Sequence, residues 1–280
     1  MIVAAVLASA FLHALWNAFL RAQDDKDGVG LIVVALAALS AGVVAVIATI
    51  GGPAPFPDTT SVLWTLAAGC CEAGYFLSLV RALAAGPLGP VYTVSRGGAI
   101  LLVWPISIAA FAEPVSGFGV GGSALVLAGL IAIGAGRQTG RAVLSWGAAC
   151  AVFIAGYHLL YKLALADGAS APAVFAVSLA VATPINALRL RTRLGAIGRA
   201  VRARPLPYLT AGAVCASSFL LFLVALRDGG AGAVLTLRNT SVLFATGLAY
   251  AIGERPSHRQ WLGAFLVVGG ALLLGLGQRP

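Results

Sequence analysis

The sequence predicts an all-α membrane protein with ten transmembrane helices, arranged as two inverted five-helix repeats. Hydrophobic residues make up 60% of its 280 residues and charged residues only 10%, a composition that cannot cover a water-soluble surface. Apolar runs long enough to cross a bilayer follow one another along the chain. The two halves also match when the sequence is shifted by the 141 positions that separate Glu113 from Glu254.

The ten spans follow from the thickness of a bilayer. A hydrocarbon core of about 30 Å needs roughly 20 apolar residues, because an α-helix rises about 1.5 Å per residue. Turn-forming pairs such as Gly86-Pro87 and Asp167-Gly168 separate the runs. The predicted spans lie near 2–22, 29–50, 61–85, 88–111, 118–136, 142–165, 171–188, 206–227, 231–252 and 258–277.

The longest connection runs from Arg189 to Pro205 and is rich in arginine. Its apolar residues Leu194, Ile197 and Val201 recur at helical intervals. This pattern is compatible with a short helix at the membrane interface or with a plain basic loop.

The internal repeat is visible in polar residues as well as in apolar ones. The shift of 141 pairs Trp16 with Tyr157, Arg21 with Lys162, and Gly122, Gly129, Gly134 and Gly136 with Gly263, Gly270, Gly275 and Gly277. We therefore predict one repeat over residues 1–136 and a second over residues 142–277. Each repeat holds an odd number of spans, so the second copy must be upside down in the membrane. This inverted arrangement is typical of secondary transporters.

Basic residues are distributed unequally between the two faces. The connections after the odd-numbered spans hold thirteen, namely Arg21, Lys26, Arg81, Arg137, Arg141, Arg189, Arg191, Arg193, Arg199, Arg202, Arg204, Arg255 and Arg259. The opposite face holds Lys162, Arg227 and Arg279. By the positive-inside rule we expect the basic face to be cytoplasmic and both termini to be extracytoplasmic. The net charge of +9 is spread over short loops, so we expect no nucleic-acid partner.

Three charged side chains lie inside the predicted spans. Arg96 and Arg238 are each several residues inside an apolar run, and Glu72 lies about eleven residues into the third span, near the midplane. An arginine at the bilayer centre costs about 3 kcal/mol on insertion scales, so such residues normally face the bundle interior. Glu72 and Arg96 could form a structural ion pair. Alternatively, Arg96, Arg238 and Glu72 form a substrate or proton site, in which Glu72 could be neutral.

Further candidate ligands lie on the first, fourth and sixth spans. Tyr92 precedes Arg96 by one helical turn. The first span carries His13, Trp16 and Asn17, and the equivalent part of the sixth span carries Tyr157 and His158. These residues could line a cavity near the repeat axis, or they could make interhelical hydrogen bonds and an interfacial aromatic belt. The scattered histidines predict no metal site, and we expect no cofactor.

Four stretches resemble a known family: Phe-Leu-His-Ala-Leu-Trp-Asn-Ala at 11–18, Val-Tyr-Thr-Val-Ser-Arg-Gly at 91–97, Leu-Arg-Asn-Thr-Ser-Val-Leu-Phe at 237–244 and Gly-Glu-Arg at 253–255. They are similar to EamA-domain proteins of the drug/metabolite transporter superfamily. Asn239 stands where related proteins often have an acidic residue, and Ala112-Glu113-Pro114 departs from the first Gly-Glu-Arg signature. Many relatives also place their termini in the cytoplasm, opposite to the charge-based orientation.

The resemblance implies a ten-helix carrier that moves a small metabolite, often as an exporter, by alternating access across the plasma (cell inner) membrane. Two arginines against one glutamate favour an anionic or zwitterionic substrate. The alternatives are a proton-coupled exporter of cationic drugs that uses Glu72, and a lipid-interacting or scaffold membrane protein. The sequence holds no enzyme motif, so we expect no catalysis. The expected partners are the substrate and the lipid bilayer, and a second copy of the chain could form a homodimer.

Overall fold

The fold is all-helical over the residues that the structure describes. A computed structural model describes residues 2–50, 52–111, 116–134, 139–228, 234 and 237–277. These residues contain no β-strand, in agreement with the predicted all-α class.

Eleven α-helices account for most of the described chain. They are α1 (Ile2–Arg21), α2 (Lys26–Thr49), α3 (Thr59–Ala85), α4 (Leu88–Phe111), α5 (Gly117–Gly134), α6 (Arg141–Ala166), α7 (Ala171–Arg189), α8 (Leu194–Ala203), α9 (Pro205–Asp228), α10 (Ser241–Ala251) and α11 (His258–Gly277). A 3₁₀ turn, Arg191–Arg193, separates α7 from α8.

Most predicted spans fall on one helix each. Spans one to seven correspond to α1–α7, the eighth to α9 and the tenth to α11. The ninth span, predicted at 231–252, includes residues outside the described ranges; its described part is helical at Leu237 and Arg238, turns at Asn239 and Thr240, and continues as α10. The basic connection between α7 and α9 contains the short helix α8, which was one of its two predicted forms.

Six of these helices are long and apolar enough to cross a membrane: Val3–Arg21, Lys26–Thr49, Thr59–Ala85, Arg141–Ala166, Ala171–Arg189 and Pro205–Arg227. Shorter apolar helices cover Gly117–Ile133, Ser241–Ala251 and His258–Leu274. Many large apolar side chains on these helices face outward, as with Leu39, Ile47 and Ile131. Such a surface is suited to lipid rather than to water, and it identifies the chain as a multi-pass membrane protein.

Helix boundaries follow local capping chemistry. Asp25 caps α2 by accepting a hydrogen bond from the Gly28 backbone N–H at 3.0 Å. Asp58 caps α3 in the same way, accepting from Ser61 N–H at 2.7 Å. Both side chains satisfy backbone donors that the first turn of a helix leaves free. Between α6 and α7 the chain turns at Gly168, whose φ of +88° favours glycine.

The helices pack in a regular pattern. Helix α3 packs on α6 and α1 on α9, while α2 packs on α7 and α5 on α11. Helix α4 also contacts α6, and α10 contacts α1. The main cluster of buried apolar residues draws on all of these helices. Its centre lies where α1, α3, α4, α6 and α9 meet.

Among the residues that the structure describes, three ion pairs join elements at the basic face. Arg21, at the end of α1, lies 2.8 Å from Glu254. The other two connect the start of α2 to the region between α7 and α8: Asp27 to Arg189 at 2.7 Å and Asp25 to Arg193 at 2.8 Å. Glu254 also accepts a hydrogen bond from the Leu88 backbone N–H at 2.8 Å. One carboxylate thus connects α1, α4 and the segment after α10.

Helices α5 and α11 approach each other at two glycine pairs. A Cβ atom added to Gly122 would lie 2.6 Å from the carbonyl oxygen of Gly270. One added to Gly129 would lie 2.7 Å from the carbonyl oxygen of Gly263. Both distances are shorter than ordinary Cβ contacts, so this approach requires glycine. Small residues at helix interfaces allow close packing in membranes, where the hydrophobic effect does not drive helices together.

We expect Gly129→Ala and Gly263→Ala each to destabilise the protein by about 1–3 kcal/mol, because the new methyl group overpacks against a backbone carbonyl. Gly121→Ala on α5 and Gly269→Ala on α11 are matched controls, since a Cβ atom at either position meets nothing within 4 Å. The measurement is the apparent melting temperature of the purified protein in detergent. Equal melting temperatures for the test and control variants would contradict the close approach of α5 and α11.

The orientation can be tested at exposed threonines on opposite faces. Thr192 lies in the 3₁₀ turn and Thr60 in the first turn of α3, and both are exposed. In a cysteine-free background, we expect Thr192→Cys to resist a membrane-impermeant maleimide in intact cells and to react after lysis. Thr60→Cys should react in intact cells. The reverse result would place the basic face outside the cell.

Candidate functional site

Two buried arginines meet at one histidine in the centre of the bundle. Arg96 on α4 is 3% exposed and Arg238 is 1% exposed. The Arg96 Nη2 atom contacts Nε2 of His13 on α1. The Arg238 Nη2 atom lies 3.4 Å from Nδ1 of the same ring. The structure therefore brings together the two arginines that the sequence placed on different spans.

His13 cannot satisfy both arginines. A neutral imidazole has one N–H and one acceptor nitrogen, whereas a guanidinium group only donates. Each ring nitrogen of His13 faces a guanidinium group. Whichever tautomer is present, one arginine meets a nitrogen that cannot accept its hydrogen bond. The arrangement has more donors than acceptors.

Arg238 shows this excess of donors most clearly. Its Nε and Nη1 atoms are buried without a hydrogen-bond partner. Its guanidinium carbon lies 3.7 Å from the ring centroid of Phe222 and 4.8 Å from that of Phe219. Cation–π contact stabilises the positive charge, but it leaves these N–H groups without an acceptor.

Asn17 and Tyr92 make further contacts around His13 and Arg96. The Asn17 amide donates to the His13 carbonyl oxygen at 2.7 Å and to the Tyr92 hydroxyl at 3.3 Å. The Arg96 guanidinium carbon lies 5.8 Å from the Tyr92 ring centroid. The Asn17 side-chain oxygen is buried and unpartnered. The Trp16 Nε1 atom lies 3.3 Å from the His13 Nδ1 atom.

Glu72 lies on α3 with its side chain fully buried. Its Oε1 atom is 2.9 Å from the Tyr161 hydroxyl on α6, and its Oε2 atom has no hydrogen-bond partner. Within the described ranges, the ion pairs are those at the basic face. The Glu72–Arg96 ion pair that the sequence left open is therefore not formed in this conformation.

Tyr157 and His158 extend the site along α6. Their rings lie 4.5 Å apart, centroid to centroid, and the His158 ring lies 5.3 Å from that of Phe222. The Tyr157 hydroxyl and the His158 Nε2 atom are buried without hydrogen-bond partners. Both residues thus place unused polar atoms in the same interior as Arg238.

All of the predicted site residues lie in the bundle interior: His13, Trp16, Asn17, Glu72, Tyr92, Arg96, Tyr157, His158 and Arg238. Sequence reasoning missed their neighbours Tyr75, Ser178, Ser218, Phe219 and Phe222. Tyr75 stands three residues after Glu72, and this helical spacing could have identified it. Phe219 and Phe222 lie in an apolar run, where aromatic residues give no polar signal.

Chemically, the site offers two guanidinium groups, phenol and amide groups, and aromatic faces. These groups can bind a small anion. No set of histidine, cysteine, aspartate and glutamate side chains within the described residues is grouped to hold a metal ion.

Comparisons with known proteins agree with this architecture. One solved structure, known only as the crystal structure of a protein, superposes with a TM-score of 0.66 over 99% of both chains at 19% identity. At that identity the likeness shows the fold alone. No curated protein sequence matches the chain.

A family model matches the second half of the chain. Residues 141–276 match the EamA-like transporter family, a domain of the drug/metabolite transporter superfamily. This match covers α6–α11 and includes Arg238 and the Gly-Glu-Arg stretch that suggested the resemblance. The second half of this membrane protein is therefore similar to the EamA-like transporter family.

Proposed function

We propose that this protein is a secondary transporter that carries a small anionic or zwitterionic metabolite across the plasma membrane by alternating access. As in many EamA-domain relatives, we expect it to act as an exporter. The observation that supports this proposal best is the unsatisfied guanidinium group of Arg238 beside Arg96 and His13. A buried donor without an acceptor is costly, and an anionic substrate would supply the missing acceptor.

The chemistry of arginine favours a carboxylate or phosphate group. A guanidinium group presents a planar fork of N–H donors that matches two oxygens of such a group. In Arg238 the free Nε and Nη1 atoms leave much of this fork available. The aromatic rings of Phe219 and Phe222 cover one region of the guanidinium group and would pack on the apolar part of a substrate.

We also propose the two inverted repeats, 1–136 and 142–277, as the basis of alternating access. Exchanging each residue for its partner 141 positions away converts the Gly122–Gly270 contact into the Gly263–Gly129 contact. The same exchange converts the packing of α3 on α6 into the packing of α9 on α1. Contacts that map onto each other in this way support a two-fold relation between the halves. An odd number of spans per repeat would place that axis in the membrane plane.

The buried state of the site fits one stage of such a cycle. His13, Arg96 and Arg238 are almost entirely inaccessible, so this conformation corresponds to an occluded carrier. A transporter that works by alternating access exposes its site to each side in turn, at the interface between the repeats.

The anion preference can be tested by thermal shift. Succinate and inorganic phosphate are tested as anionic probes, alongside further carboxylates and phosphate esters, with tetraphenylphosphonium as the cationic probe. We expect some anions to raise the melting temperature, because a ligand that binds only the folded state stabilises it in proportion to the logarithm of its concentration above Kd. Stabilisation by tetraphenylphosphonium alone, lost in Glu72→Gln, would instead support a cationic drug exporter.

We expect Arg96→Lys and Arg238→Lys each to weaken anion transport about tenfold or more, because lysine keeps the charge but cannot form the planar fork. Melting temperature should change little. Arg255→Lys is the matched control, because Arg255 is exposed at the basic face. Uptake into proteoliposomes, measured with the anions found by thermal shift, gives the rate. Unchanged transport in both test variants would exclude this site.

A further inference from the structure

A chain of three hydrogen-bonding contacts leads away from Glu72. Glu72 Oε1 lies 2.9 Å from the Tyr161 hydroxyl, which lies 2.6 Å from the Ser178 hydroxyl on α7. Ser178 lies 3.0 Å from the carbonyl oxygen of Phe175, one turn earlier. The chain ends there, because a backbone carbonyl oxygen can only accept.

Counting hydrogens favours a protonated Glu72. Three links between oxygen atoms need three hydrogens. Tyr161 and Ser178 supply one each, and an ionised carboxylate supplies none. With Glu72 ionised, one pair of oxygens would be in contact without a hydrogen between them. With Glu72 protonated, it donates to Tyr161, Tyr161 donates to Ser178, and Ser178 donates to the Phe175 carbonyl, so that every link is made.

The surroundings of Glu72 favour the same state. An ionised buried carboxylate needs a cation or several donors, yet Oε2 has neither a hydrogen-bond partner nor an ion pair with Arg96 or Arg238. The other titratable and charged groups around it come from its own helix and from α4, α6, α9 and the segment before α10. They are Cys71, Arg96, Cys150, Tyr157, Tyr161, Cys215 and Arg238. The cysteines and tyrosines are ordinarily neutral, and neither arginine reaches ion-pair distance.

We propose that Glu72 is a proton-binding site, separate from the arginine site, and that it is neutral in this closed conformation. Tyr161 and Ser178 hold the carboxylic acid in place by accepting and relaying its hydrogen bond. When the interior opens to water, the proton is exchanged with that water.

This inference also bears on the charge of the substrate, and that part of it rests on the proposed function. Glu72, Arg96 and Arg238 are the charged residues that are fully buried in the described part of the chain. With Glu72 neutral, both guanidinium charges remain uncompensated. The interior then favours an anion with two negative charges or two anionic groups, such as a dicarboxylate or a phosphate ester, over a cation.

Infrared spectroscopy of the purified protein tests the proton site directly. The spectrum of Glu72→Gln is subtracted from that of the wild-type protein at neutral pH. We expect a positive C=O stretching band of a protonated carboxylic acid. Glutamine retains an N–H donor toward Tyr161, so this variant should fold. Glu254→Gln is the matched control and should remove no such band, because Glu254 is paired with Arg21.

A second set of variants tests the chain of hydrogen bonds. Tyr161→Phe removes the acceptor for Glu72, so the acid band should persist and move to higher frequency. Ser178→Ala should cause a smaller shift in the same direction, and it serves as the test if Tyr161→Phe does not fold. A difference spectrum that shows only carboxylate bands for Glu72 would overturn the proposal. This outcome is independent of the thermal-shift assay, whose failure would count against the transport proposal and not against the proton site.

Discussion

The structure depends on the contact of two buried guanidinium groups with one imidazole ring. Like charges repel strongly where water is absent, and at a few ångströms their interaction is worth several kcal/mol even with substantial screening. Three features reduce the cost. His13 accepts from one arginine, aromatic rings lie against both guanidinium groups, and tightly packed helices fix the geometry. None of these features supplies a negative charge, and this deficit is the basis of the proposed preference for anions.

Close helix packing makes this contact possible. Glycines let α4 and α6 approach closely, as at Gly98 against Ala151 and Gly147 against Val94, and long polar side chains from different helices meet beside this interface. The outward surface is apolar, and the charged residues outside the centre lie near helix ends. In a bilayer, charge exposed to lipid and unpaired backbone groups both cost free energy. The helices therefore continue through the apolar segments, and many of them end near charged residues.

The sequence was most informative where the membrane imposes the constraint. Hydrophobic run length located the helices, and the cost of a charge in the bilayer identified Glu72, Arg96 and Arg238 as interior residues. The sequence was least informative about uncharged contact partners, because burying them in a bilayer costs little free energy. Phe219 and Phe222 look like ordinary lipid-facing or core residues, and Tyr161 became a partner of Glu72 only through the packing of α3 on α6. Which residues of different helices meet is decided by helix rotation, and a hydrophobic pattern that is apolar all around a helix does not specify rotation.

Two helices, α1 and α4, carry residues of both the basic face and the central site. Arg21 lies eight residues after His13 on α1, and Leu88 lies eight residues before Arg96 on α4, which is about 12 Å along each helix. Glu254 pairs with Arg21 and accepts from Leu88 N–H, and it follows α10, the helix that begins just after Arg238. The Glu254 carboxylate thus joins the elements that carry His13 and Arg96 to the segment that follows Arg238 and α10. If α1 and α4 move as nearly rigid bodies in the proposed cycle, a tilt that separates His13 from Arg96 would also strain the Glu254 contacts. In the proposed transport cycle, opening at the basic face and rearrangement of the site would therefore be coupled through α1 and α4.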